Sequence, residues 1–191
     1  MDQSARFTTT KWSVILRARD RSDASSREAL ASLCETYWYP LYYFVRRQGF
    51  PPDPALDLTQ GFFVELLEKE ILDAARPERG RFRSFLLAAL MRHIGHERRK
   101  EQALKRGGGR WVLSIDTEDA EGRYRMEPVE HETPERAYER RWALAVIGRA
   151  QDRLRLALEA DGKEEQYRHL LPFVTDIRQE QTYQAAAVAL E

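Results

Sequence analysis

The chain has 191 residues, enough for one or two domains with a buried core, and 42% hydrophobic against 32% charged residues is a globular balance, not a disordered one. Lys and Arg number 31 and so do Asp and Glu, so net charge names no partner and only its distribution can. A single cysteine, Cys34, excludes an internal disulfide and fits a reducing cytoplasm, no apolar run approaches the roughly eighteen residues of a membrane span, and the N-terminus lacks the apolar core of a signal peptide.

Thr8 to Thr10 offer caps for a short first helix, on which Trp12, Ile15, Leu16 and Arg19 follow at helical spacing. Ser25 or Ser26 caps a longer helix whose apolar face is Leu30, Leu33, Cys34, Tyr37, Trp38, Leu41, Phe44 and Val45. Pro40 lies inside it and predicts a kink; Gly49 ends it. The aromatics Tyr37, Trp38, Tyr42, Tyr43 and Phe44 suggest a stacking platform, but at this spacing they read as core, and Cys34 reads as an inert buried thiol.

Asp53 as N-cap and Pro54 at the first helical position open a third helix, running to about Lys69. Ala55, Leu58, Thr59, Phe62 and Leu66 face inward on it, while Asp57, Gln60, Gly61, Val64 and Glu68 fall on another face. Residues 70–81 read as a loop broken by Pro77 and Gly80. The next helix has an inward stripe of Phe82, Phe85, Leu86, Ala89, Leu90, His93 and Ile94, with Arg92, His96, Arg98 and Arg99 left mostly outside.

Charge concentrates here. From Arg76 to Arg110 there are 11 Arg and Lys against 3 acids, a local surplus of eight in a neutral chain, and a positive face of that kind attracts phosphate. Neutralising about six phosphates predicts a log-log salt slope on the order of −5. Gly107-Gly108-Gly109 then ends regular structure, and residues 116–141 hold 9 acids and 5 bases, which reads as an extended, partly ordered connector. Thr133-Pro134-Glu135 starts a further helix to about Ala160, Asp161-Gly162 breaks it, and Tyr167, Leu170, Leu171 and Phe173 mark another. A last helix only begins in QTYQAAAVALE. No convincing strand and no internal repeat occur. The expectation is an all-α chain with a helical domain over 8–106, a linker over 107–133 and a partial helical domain over 134–191.

Several chemical readings fail on spacing. His93, His96 and Glu97 form H-x-x-H-E, whereas zinc hydrolases need two His four residues apart and a third ligand. The glycine run lacks a following Lys-Ser/Thr and a preceding strand, so it is no phosphate loop. No Ser/His/Asp set has support. The expectation is no enzyme, no metal and no cofactor.

The words Lys11-Trp12-Ser13, Tyr37-Trp38-Tyr39-Pro40-Leu41-Tyr42, Asp57-Leu58-Thr59-Gln60 and the run Pro77 to Leu86 stand in this order, followed by Ala103 to Gly109 and Glu139 to Leu144. Together they cover nearly the whole chain, which resembles the extracytoplasmic-function (ECF) sigma factors of bacterial RNA polymerase. The resemblance implies a two-domain initiation factor. Its region two would bind the clamp helices of core RNA polymerase, with Asp57, Gln60 and Val64 on that face, and would open the minus-ten element of promoter DNA. Arg79, Arg81, Arg83, Arg92, Arg98, Arg99 and Lys100 would then contact the DNA. An anti-sigma factor is a further implied partner, and a membrane is not.

Two departures from the family pattern stand out. Gly61 follows Gln60 where the family carries an acid, and a glycine inside a helix costs about 1 kcal/mol. The turn and recognition helix of region four would follow QTYQAAAVALE, but the sequence stops at Glu191. That leaves the alternative of a module that binds polymerase or an anti-sigma factor without initiating.

Overall fold

Nine consecutive residues, Tyr37 to Val45, are all buried. A helix that is apolar all round has to be wrapped all round, and this one is the axis of the fold. The computed structural model describes residues 12–20, 24–68, 71–103, 117–126 and 132–175. Seven α-helices occur among them and no strand, so the chain is all-α, as its periodicity predicts: α1 (Trp12–Asp20), α2 (Ala24–Arg47), α3 (Pro52–Glu68), α4 (Phe82–Ala103), α5 (Thr117–Met126), α6 (Pro134–Ala160) and α7 (Glu164–Thr175). None of them is long and apolar enough to cross a membrane. The chain divides into two compact units, one ending at Ala145 and the other beginning at Val146.

In the first unit α1, α3 and α5 pack on α2, and α4 packs on α3. The contacts between elements are largely aromatic: Tyr37 of α2 meets Phe82 of α4 edge-on at 5.6 Å, and Phe44 meets Tyr138 of α6 at 6.4 Å. Each such ring removes a large apolar area from water and adds a preferred edge-to-face geometry. The helix α2 runs through Pro40 and ends where Gly49 takes a φ of +88°, a conformation that costs glycine little. It begins at Ala24, so Ser25 and Ser26 lie inside it, and Ser26 is buried instead of capping.

The start of α3 also differs, by two residues: it begins at Pro52 and not at Pro54. The Ala55 N–H donates to the Pro51 carbonyl at 2.9 Å, which places Asp53 in the first turn and not at the cap. Its negative charge still lies at the positive end of the helix dipole. The loop before α4 contains two short 3-10 turns, Leu72–Ala74 and Pro77–Arg79. Leu72 and Ala75 are buried, and Asp73 pairs with Arg19 of α1 at 3.1 Å, so apolar anchors and one ion pair tie its first half down.

The largest departure from the sequence reading is α5, which lies within the stretch expected to be an extended connector. Acidic composition is disordered only while it lacks cationic partners, and α2 supplies them from Arg46. The expected cap of α6 is present: the Arg136 N–H donates to Thr133 Oγ1 at 3.3 Å. In the second unit, α6 ends in a turn at Gly162 (φ +70°), where the Lys163 N–H reaches back to the Leu158 carbonyl at 2.7 Å. The helix expected over QTYQAAAVALE lies outside the described residues, as do Gly107 to Gly109.

Candidate nucleic-acid interface

The helix α4 carries its apolar stripe inward: Phe82, Leu86, Ala89, Leu90 and Ile94 are buried. The opposite stripe, Ser84, Ala88, Met91, Arg92, His96 and Arg99, is exposed at helical spacing. Arg79 and Arg81, in and after the second 3-10 turn, are exposed just ahead of the helix. Among the described residues no carboxylate pairs with Arg79, Arg81, Arg92 or Arg99, so their charge is available to an external anion.

Three other expected phosphate contacts are engaged within the fold. Arg83 is buried: its Nε donates to Glu139 of α6 at 2.6 Å, and its guanidinium lies 4.1 Å from the centre of the Trp142 ring. This corrects its assignment as a DNA contact, because a guanidinium flanked by a carboxylate and an indole is already satisfied. The sequence hides this, since Glu139 is 56 residues away. Arg98 remains exposed but stacks over Phe50 at 4.7 Å. Lys100 is exposed and gives its ammonium to Glu97 at 2.6 Å; that hydrogen bond is the largest influence holding the Glu97 carboxyl below its usual range.

The residues expected to face polymerase lie on α3. Asp57 is exposed and Val64 is half-buried, but Gln60 is buried, with 7% of its surface accessible. That corrects the expectation that Asp57 and Gln60 share an accessible face. At i and i+3 they are neighbours, yet the rotation of α3 that seals Phe62, Phe63 and Leu66 carries Gln60 inward with them.

Asp57 and Val64 line a groove of about 640 Å³ between α3 and α4, and Arg98 and Lys100 stand on its other wall. The two residue sets implied for different partners therefore meet in one groove. His93 also lines it. Its Nδ1 is 2.5 Å from Glu65 Oε2, and its ring meets Phe62 edge-on at 5.9 Å. A methyl group at Gly61 would stand 3.4 Å from His93 Nε2, at the near edge of ordinary van der Waals contact with the imidazole. His93 thus has a structural partner that the apolar stripe did not reveal, and among the described residues no three His, Cys, Asp or Glu side chains gather as a metal site requires.

Compared with family models, curated proteins and solved structures, the chain matches none of them.

Proposed function

We propose that the chain is an RNA polymerase sigma factor of the ECF type, acting in the cytoplasm with core polymerase and promoter DNA as its partners and an anti-sigma factor as a regulator. The observation that carries this reading is the ordered run of motifs from Lys11 to Leu144, no one of which would suffice alone. The four accessible arginines, Arg79, Arg81, Arg92 and Arg99, support it as a phosphate-contacting row at the minus-ten element. Asp57 and Val64 on the neighbouring helix support it as the polymerase face, with Gln60 no longer part of that face. The factor works by binding and has no chemistry of its own.

The test is co-purification with core polymerase followed by transcription from candidate promoters. Asp57→Ala is expected to weaken association with core without unfolding the domain, because Asp57 is exposed. No association of the wild-type chain with core would sink the reading. Association without a transcript from any promoter would favour a polymerase-binding module that does not initiate.

A further inference from the structure

Away from the groove, charged and aromatic side chains meet where α5 rests on α2. There the Glu121 carboxylate collects four hydrogen bonds. Tyr42 Oη donates to Oε2 at 2.6 Å and Arg46 Nε to the same oxygen at 3.0 Å; Arg46 Nη2 donates to Oε1 at 3.1 Å and Arg125 Nε to Oε1 at 3.1 Å. A guanidinium fork on two oxygens, with a hydroxyl on one, is how proteins hold carboxylate and phosphate alike. The cradle belongs to α2, and with Glu121 seated on it 15% of the Arg46 side chain is accessible.

Planar groups also contact the neighbouring rings, one over a ring face and one tilted by 59°. The Arg123 guanidinium is 4.0 Å from the centre of the Tyr39 ring, and the Tyr124 ring is 5.1 Å from that of Tyr43. Bases stack on aromatic side chains in single-strand-binding grooves, beside cations that take the backbone. The helix α5 therefore offers α2 what a nucleotide would, an anion and planar groups.

We propose that α5 is an intrachain strap filling a nucleic-acid site on α2: once it lifts, Arg46 and Tyr42 hold a backbone phosphate of a single strand, and Tyr39 and Tyr43 stack its bases. Strap and strand compete for the same cradle, so strand binding here is coupled to release of α5. The choice of nucleic acid as the ligand rests on the function proposed above.

The experiment is anisotropy of a labelled single-stranded oligonucleotide titrated with the full chain at low salt. Glu121→Gln keeps the side chain's shape and removes its charge, and it is expected to tighten binding roughly tenfold by weakening the competitor. That gain should be lost in Glu121→Gln/Arg46→Lys, which keeps the positive charge and removes the guanidinium fork. It should shrink in Glu121→Gln/Tyr42→Phe, which deletes one hydroxyl and leaves the buried ring in place. A gain that persists in both double variants is only the effect of one fewer negative charge, and it overturns the proposal, as does unchanged affinity in Glu121→Gln. Inorganic phosphate competing as well as an oligonucleotide of equal phosphate content would show an anion site without base stacking, and would also overturn it. Core-polymerase association is measured on the same proteins. Its absence sinks the sigma reading while the oligonucleotide series still decides the strap.

Discussion

The Arg83 guanidinium lies against the face of Trp142 while its Nε donates to Glu139, so one side chain at the start of α4 fastens two residues of α6. The Tyr138 hydroxyl completes the join by donating to the Arg83 carbonyl at 3.0 Å, and burial pushes that hydroxyl's pKa well up. Removing Arg83 leaves an indole face uncovered and a carboxylate unpaired. Glu139 is partly accessible, which moderates the loss. Arg83→Ala is expected to lower stability by about 2 kcal/mol in urea denaturation. Arg83→Lys should recover only part of it, because an ammonium cannot serve a carboxylate and a ring face as a planar fork does. Oligonucleotide affinity of the folded Arg83→Ala protein should match wild type. A drop as large as that of Arg92→Ala would return Arg83 to the DNA interface.

Two helical glycines make a matched pair. A methyl at Gly148, midway along α6, meets nothing within 4 Å, whereas one at Gly61 comes within 3.4 Å of His93 Nε2. Gly148→Ala is expected to gain about 1 kcal/mol from helix propensity alone. Gly61→Ala should gain less, because His93 is held by Glu65 and has little freedom to yield. Thermal unfolding of both variants checks this. A loss at Gly148 would contradict the open geometry there, and equal gains would show that the imidazole moves at no cost.

Periodicity made α1 to α4 legible because each buries a stripe with helical spacing, and a stripe is a local property of sequence; α6 has the spacing too, but it buries only Ala137, Tyr138, Arg141 and Trp142 and leaves Leu144, Ile147, Leu154 and Leu156 exposed. The cap at Thr133 and the stop at Gly49 were legible for the same reason. What could not be read is pairing at a distance. Glu121 lies 79 residues from Tyr42, and Arg83 lies 56 from Glu139, and nothing in either local stretch marks one as the other's partner. The inward turn of Gln60 is of this kind too, since it depends on where α3 meets its neighbours and not on its own pattern. An acidic stretch following an Arg46-Arg47 pair was the one available hint of α5, and it is a weak one.

Glu121 ties the α5 contact to pH. Burial pushes its carboxyl pKa up, but the hydrogen bonds from Tyr42, Arg46 and Arg125 outweigh that and leave it below the ordinary value of 4.5. A group whose folded pKa is depressed stabilises the fold above its unfolded pKa and loses that contribution as pH falls through the folded one. The Glu121 contribution is therefore complete above about pH 5 and fades below 4.5. Denaturation of wild type and Glu121→Gln between pH 3 and 7 should show curves separated at neutral pH and converging on the acid side. A constant separation would mean that Glu121 keeps its charge throughout and contributes no pH dependence.

The thiol of Cys34 is expected to be quiet. Burial, with a smaller push from Glu35, raises its pKa to about 11, so almost none is thiolate at neutral pH. Alkylation of the native chain at pH 7 should run far slower than that of the unfolded chain. Equal rates would place the thiol in solvent.

Salt dependence separates the arginines that are accessible from those that are engaged. With Arg83 buried, Arg98 over Phe50 and Lys100 on Glu97, four of the seven expected contacts remain accessible and unpaired among the described residues: Arg79, Arg81, Arg92 and Arg99. Four phosphates neutralised on duplex DNA correspond to a log-log slope of about −3.6, shallower than the −5 or so that charge counting in the sequence implies. Arg92→Ala and Arg99→Ala should each flatten the slope by about 0.9 and weaken binding with little regard to sequence. Arg83→Ala should leave it unchanged. If duplex binding measured from about 50 to 200 mM salt gives a slope nearer −5.4, then Arg98 and Lys100 leave their partners to reach the backbone, and the contacts with Phe50 and Glu97 are resting positions of those cations.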